Sequence, residues 1–269
     1  MVTGLKRFSE HFAGYEDHYF LIGGTALWLV MDEAGLETRA TKDIDIVLCV
    51  EALDAKFVAV FWQFIRDGQY QVQQRSTGGK IFYRFQKPQV EGFPVMLELF
   101  SRRPDGVTLD DDTCLTPIPV DEEVSSLSAI LLDDDYYRML HLGKRMVDGI
   151  SIVDEFCLML LKARAWLDLV DRRKKGEKID GKSIKKHRND VLRLYQLLEP
   201  TKRIEVPETI AADIEEFLTR VAPEIDGQLL NSLGFKGVEP QGVLQAIGSA
   251  YIARAEANEY LGAEHLGSE

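Results

Sequence analysis

The stretch from Phe20 to Val47, FLIGGTALWLVMDEAGLETRATKDIDIV, constrains the rest of the chain more than any other. Tyr19, Phe20, Leu21 and Ile22 form an unbroken apolar run that reads as a short buried strand. Gly23 and Gly24 then remove Cβ atoms where the backbone must turn sharply or approach a ligand. Thr25 is suited to cap a helix, and Leu27, Val30 and Met31 carry helical apolar spacing within 26–34. Strand, glycine turn and helix start together put free N–H groups and the positive end of a helix dipole at one spot, which favours an anion.

Thr41-Lys42-Asp43-Ile44-Asp45-Ile46-Val47-Leu48 follows. Strand side chains alternate faces, so Asp43 and Asp45 project to one side, about 7 Å apart along the strand, while Ile44 and Ile46 turn to a core. Two carboxylates side by side repel unless a cation or a proton lies between them, and such oxygen-rich sites suit Mg²⁺. Taken alone, D-x-D is most simply the end of an edge strand facing water, and Gly-Gly a plain turn. In this order and spacing, the two resemble the nucleotidyltransferase superfamily of polymerase-β type, whose hallmark is a Gly-Gly or Gly-Ser helix start followed by D-x-D on the next strand. The resemblance implies an α+β fold: a mixed nucleotidyltransferase sheet with flanking helices, followed by a C-terminal helical domain.

A chain of 269 residues, 45% hydrophobic and 28% charged, suffices for one large or two modest domains with real cores. No apolar run is long enough to span a bilayer, and no signal-peptide core opens the chain, so a cytoplasmic location is expected. Cys49, Cys114 and Cys157 are three and widely spaced, which reads as reduced thiols without a disulfide framework or a C-x-x-C metal site. The net charge of −12 argues against general coating of nucleic acid. Arg172 to Arg188, however, holds nine basic and two acidic residues, a local +7. That segment reads either as a contact for a polyanionic acceptor or as a solvated loop between helices.

Taken in order, Leu5 to Ala13 is an expected helix. Asp54 should cap a helix through Asp67, followed by an antiparallel pair from Tyr70 to Gln74 and Ile81 to Gln86. The run Phe93 to Phe100 is an expected strand in which Glu98 is the one ionisable residue. It is either a glutamate at a strand end in water or, in a polymerase-β-like sheet, the third acid of a metal site. Arg102 and Arg103 follow and suit triphosphate, RNA or plain surface. Leu115 to Val120 and Leu127 to Leu132 are short strand candidates. Asp133 should cap a helix to Leu142, and Val147-Asp148-Gly149-Ile150 signals a hairpin. Helical spacing then covers 154–174, 182–199, 207–221 and 240–261. The expected division is 1–150, the nucleotidyltransferase α/β core, and 151–269, a helical domain completing the nucleotide and acceptor cleft.

Two further stretches narrow the resemblance. Lys162 lies in Lys162-Ala163-Arg164-Ala165-Trp166 inside an apolar helix, and Lys185-Lys186-His187-Arg188-Asn189-Asp190 follows. The order G-G-T-A, T-x-D-x-D, K-x-x-x-W and K-H-x-N-D resembles the AbiEii/AbiGii nucleotidyltransferase-like family and the related MenT toxins, over about residues 15 to 200. It implies transfer of an NMP from an NTP to an acceptor hydroxyl. Known members are toxins of two-gene systems that modify tRNA 3′ ends or block phage growth, so a cognate antitoxin is an implied partner. By the same resemblance Asp43 and Asp45 match the metal pair, Lys162 a phosphate-contacting lysine, Asp190 an aspartate proposed to assist catalysis, and Thr41 the hydroxyl residue before the pair.

From the residues alone, Lys162 is either a phosphate contact or a snorkelling lysine, and Asp190 either a site residue or a helix-face partner of Lys186 or Arg193. The expected catalytic set is Asp43, Asp45, Glu98, Lys162 and Asp190, the first three holding two Mg²⁺ ions. Gly23, Gly24, Thr25, Arg39, Thr41 and Lys42 are the expected nucleotide contacts. The rival functions are a kinase moving the γ-phosphate onto protein and a catalytically inactive nucleotide-binding regulatory module.

Overall fold

The computed structural model describes residues 2–49, 54–77, 80–101, 116–117, 130–131 and 133–254. Its centre is β1 (Tyr19–Ile22), whose four residues are fully buried, as an all-apolar strand covered on both faces must be. β1 pairs antiparallel with β2 (Asp43–Leu48), and β2 pairs parallel with β5 (Met96–Ser101). β4 (Lys80–Gln86) joins β5 antiparallel and β3 (Gln71–Thr77) joins β4 antiparallel, with β6 (Thr116–Pro117) beyond it. On the other side β8 (Ile150–Val153) lies parallel to β1, and β7 (Lys144–Val147) closes that edge. The result is a mixed eight-stranded sheet in the order β6-β3-β4-β5-β2-β1-β8-β7.

Aromatic residues decide which face of this sheet is sealed. α1 (Leu5–His11) and α3 (Ala55–Gly68) bring Phe8, Phe57, Phe61 and Phe64 together with Phe12 and Tyr19, ring to ring. Asp54 caps α3 by accepting the Phe57 N–H at 2.7 Å. Tyr19 pairs across the strands with Leu48, and Leu21 with Ile46, so the aromatic layer covers the Ile44–Ile46–Leu48 side of β2. Alternation leaves Asp43 and Asp45 to the opposite side. The β7–β8 turn has Asp148 and Gly149 both at positive φ (49° and 75°), the twist a two-residue hairpin requires.

The C-terminal half is organised around α5 (Glu155–Lys174), buried on nearly every side, which explains an apolar run without a clear stripe. α2 (Gly23–Glu33), α6 (Gly181–Leu194) and α7 (Glu208–Val221) pack on it, with Trp166 edge-on to Phe217 at 5.3 Å. α4 (Asp134–Leu142) is capped by Asp133, and α8 (Gly227–Ser232) and α9 (Pro240–Ser249) follow α7. β9 (Ile204–Val206) and β10 (Tyr251–Ala253) make a small parallel pair. Buried side chains from Val2 to Tyr251 join one hydrophobic cluster.

Several expectations need correcting. The helix expected over 240–261 stops at Ser249, because Tyr251 to Ala253 pair with Ile204 to Val206. Ile130 and Leu131, placed in a strand by their apolar run, are helical. The helix after Gly24 begins at Gly23 rather than after Thr25. The sheet runs to Val153, three residues past the expected junction at 150. Arg102, Arg103, Cys114 and most of the two strand candidates between 115 and 132 lie outside the described residues. Among the described residues no helix is long and apolar enough to cross a membrane.

Candidate functional site

The site begins where β1 ends. Gly23 sits at φ +70°, and a Cβ built on it would lie 1.7 Å from Asp45 Oδ2. No other residue fits there: the backbone is left-handed and the carboxylate crowds the α-carbon. The sheet register sets Asp45 beside Ile22 on one side and Glu98 on the other. Asp45 and Glu98 are 8% and 7% exposed, a pair of carboxyl groups nearly out of water. Burial, followed by the Asp45 charge and a carboxyl–carboxyl hydrogen bond, pushes the Glu98 pKa up to about 9. Arg84, directly across from Glu98 on β4, works the other way. Its Nε and one terminal nitrogen donate to Glu98 Oε1 at 2.8 and 2.6 Å.

Asp43 is half-buried on the same face, and its backbone carbonyl accepts the Thr25 hydroxyl at 2.6 Å. The three acids therefore share a face, but they do not close on one point. Among the described residues no group of three or more His, Cys, Asp or Glu side chains is gathered closely enough to hold a metal ion. The expected triad is a tight Asp45–Glu98 pair with Asp43 one strand step away. That donor set suits one Mg²⁺: two apposed carboxyls repel unless a cation or a proton lies between them, and Mg²⁺ needs only one or two carboxylates when phosphate oxygens complete its shell.

On the other side of the glycine pair lies a cationic cluster. A Cβ on Gly24 would sit 2.6 Å from Thr41 Oγ1 and 3.3 Å from an Arg39 terminal nitrogen. Arg39 grips Asp190 with two parallel bonds of 3.1 and 3.0 Å. Lys162 Nζ, from α5, lies 3.4 Å from the same carboxylate, and Arg193, one turn on in α6, 3.5 Å. Asp190 is wholly buried and Lys162 is 4% exposed. Burial opposes the Asp190 charge, yet Lys162, Arg39 and His187 overcome it and hold the carboxyl below the usual range. Three cations thus converge on one buried carboxylate beside the glycines.

Among the expected residues, then, Gly23, Asp45 and Glu98 are brought together, and Gly24, Thr41, Arg39, Lys162 and Asp190 form an adjoining group. Thr25 is a buried helix residue whose hydroxyl ties α2 to β2. It does not cap the helix; Ile22 stands at that position. Lys42 is exposed. Nothing in the sequence points to Arg84, because its place beside Glu98 depends on the register of a hairpin partner strand. Arg39 and Asp190 are separated by 151 positions, and no local pattern joins them.

No protein-family model matches this chain, and no curated protein matches it. Among solved structures it is similar to an antigenic nucleotidyltransferase-like protein from Paracoccidioides brasiliensis, at 14% identity and a TM-score of 0.44, over 91% of this chain and 99% of that one. It is also similar to JHP933 from Helicobacter pylori, at 13% identity and a TM-score of 0.33, over 91% and 86% of the two chains. A third likeness is to MenT4, a nucleotidyltransferase toxin from Mycobacterium tuberculosis H37Rv, at 14% identity and a TM-score of 0.24, over 93% and 92%. The scores are low, and the chemistry rests on the site's own residues.

Proposed function

We propose that the protein is a Mg²⁺-dependent nucleotidyltransferase that moves an NMP from an NTP to an acceptor hydroxyl, the new oxygen–α-phosphorus bond replacing the one to the departing pyrophosphate, in the manner of the AbiEii-type toxins whose motifs it resembles. One observation carries the reading: the Gly23–Gly24 step separates a buried carboxyl pair, Asp45–Glu98, from the cationic cluster of Arg39, Lys162 and Arg193. A triphosphate laid across the glycines has its reacting phosphorus near the acids and its outer phosphates near the cations. Asp45 and Glu98, joined by Asp43, would hold Mg²⁺, which supplies neutralisation of phosphate charge and a more acidic acceptor hydroxyl. The remaining work is positioning. Gly23 lets the Asp45 carboxylate lie against the backbone at the helix start, and Asp190 orders Arg39 and Lys162 so that their charge is preorganised. Asp190 is thus a positioning residue, too deeply buried to meet substrate itself. The acceptor is expected to be an RNA end such as that of tRNA, in the cytoplasm, with a neighbouring antitoxin as the regulating partner.

The test is incubation with α-labelled NTPs, Mg²⁺ and total RNA. Asp45→Asn should abolish labelling of any acceptor, and transfer retained by that variant rejects the assignment. Label arriving only from γ-labelled NTP identifies a kinase instead. A second reading, an inactive nucleotide-binding module, is favoured by the grip of Arg84 on Glu98. Calorimetric binding of NTP without turnover in any acceptor assay would establish it.

A further inference from the structure

The turn between α5 and α6 carries charge that neither the fold nor the proposed chemistry uses. The stretch 172–188 holds nine basic and two acidic residues on a chain of net charge −12. Both acids are committed locally. Glu177 accepts from Arg172 at 2.9 Å, and Asp180 caps α6 by accepting the Lys182 N–H at 2.9 Å. Arg172 also reaches Asp168 at 3.5 Å, and Arg188 is buried against Glu224 at 2.8 Å. Arg173, Lys174, Lys175, Lys178, Lys182 and Lys185 are exposed, and among the described residues none of them ends in an ion pair.

Helix stability accounts for only part of this. Arg173, Lys174 and Lys175 lie at the carboxyl end of α5, where positive charge is favoured. Lys182 and Lys185 lie in the first turns of α6, where the helix dipole disfavours cations, and no acidic residue stands in that first turn. Their placement costs stability, so it asks for another use. α6 then runs from Lys182 directly to Asp190 and Arg193, a rise of about 12 Å to Asp190.

We propose that this turn is the docking surface for a nucleic-acid strand, held by its phosphodiester backbone, whose terminal hydroxyl α6 directs toward the site. The proposal rests on the nucleotidyl-transfer reading for its purpose, but not for its test. Phosphate contacts set position without reading bases. The side chains involved are flexible lysines, suited to a backbone rather than to one sequence.

The experiment is equilibrium binding of fluorescent single-stranded RNA and DNA of one sequence to the full chain, without NTP, between 50 and 200 mM salt. The variant is Lys174→Gln, Lys175→Gln, Lys182→Gln, Lys185→Gln; the control carries Lys6→Gln, Lys56→Gln and Lys236→Gln, exposed lysines elsewhere. Each phosphate deprived of its lysine takes about 0.7 from the slope of log affinity against log salt for a single strand, so four should take about 3. The fall in affinity should be about fifty-fold larger at 50 mM than at 200 mM salt, with the control unchanged and the variant's thermal melt not lowered. The stronger of the two strands names the sugar preferred. Absence of binding by the parent chain, equal binding by the four-lysine variant, or an equal weakening in the control overturns the proposal. Loss of labelling in Asp45→Asn with strand binding intact leaves it standing, so the two readings fail separately.

Discussion

Asp190→Asn tests most directly how the cationic half of the site is built. The substitution keeps the shape and one accepting oxygen but removes the negative charge that faces Arg39, Lys162 and Arg193 at distances of 3.0 to 3.5 Å. The carboxylate is fully buried and Lys162 nearly so, so water cannot screen what is left. Breaking a buried ion pair by removing one partner costs about 3–5 kcal/mol. At about 2–4 °C per kcal/mol for a chain of this size, the melting temperature should drop by roughly 6–20 °C. The pH dependence adds a second check. The folded-state pKa of Asp190 lies below its unfolded value, so its contribution is fully present above the unfolded pKa and is lost as pH falls through the folded one. The stability gap between parent and variant should therefore be flat near neutral pH and narrow below about pH 4. Urea melts at pH 3 to 7 read both. Adding Lys162→Met to Asp190→Asn should recover part of the loss, since it removes a cation deprived of that counter-charge. A loss under about 1 kcal/mol, or a gap that does not narrow in acid, refutes the view that this carboxylate organises the cations.

Gly23→Ala should abolish transfer and destabilise the fold by about 1–3 kcal/mol for the left-handed backbone alone, because its Cβ also collides with Asp45; Gly176→Ala, at φ +91° with nothing near its Cβ, should show the backbone cost but keep activity. Glu98 has a folded pKa of about 9, above its unfolded value, so it binds a proton that the unfolded chain releases. Stability of the metal-free protein should then fall as pH rises from about 4.5 toward 9, and Glu98→Gln should flatten that slope in urea melts. Arg84→Gln should raise the Glu98 pKa further and weaken the protein by about 1.5–3 kcal/mol, the usual loss for a hydrogen bond to a charged group; retained stability would mean that Arg84 is not holding Glu98.

What is legible in the sequence is local. The strand Tyr19 to Ile22, the glycine turn and the aspartate strand follow from apolar runs and period-two alternation, and the α+β class from the resemblance those motifs carry. Alternation also places Asp43 and Asp45 on one face, and the lone acid in an apolar run points to Glu98. Pairings over distance are what escape it. β10 lies within what reads as one helical run, because its partner β9 is 47 residues away (Ile204 against Tyr251) and tertiary pairing overrides weak local preference. Ile130 and Leu131 belong to an apolar run too short for periodicity to choose between helix and strand.

Arg84 and Arg39 show the same limit at the level of chemistry. Arg84 reads as an ordinary surface arginine, and Arg39 as an expected nucleotide contact, until a strand register or a helix packing delivers a carboxylate, at 2.6 Å for Glu98 and 3.0 Å for Asp190. These two arginines also make the halves of the site unlike each other. Arg84 lowers the cost of ionising an acid that burial and Asp45 would keep protonated. Arg39 shares the Asp190 carboxylate with Lys162 and Arg193, so three cations are gathered there. On the proposed reading, a phosphate chain laid across Gly23 and Gly24 would meet paired acids suited to a cation at one end and three cations drawn to one carboxylate at the other, and that asymmetry would fix the direction in which it lies.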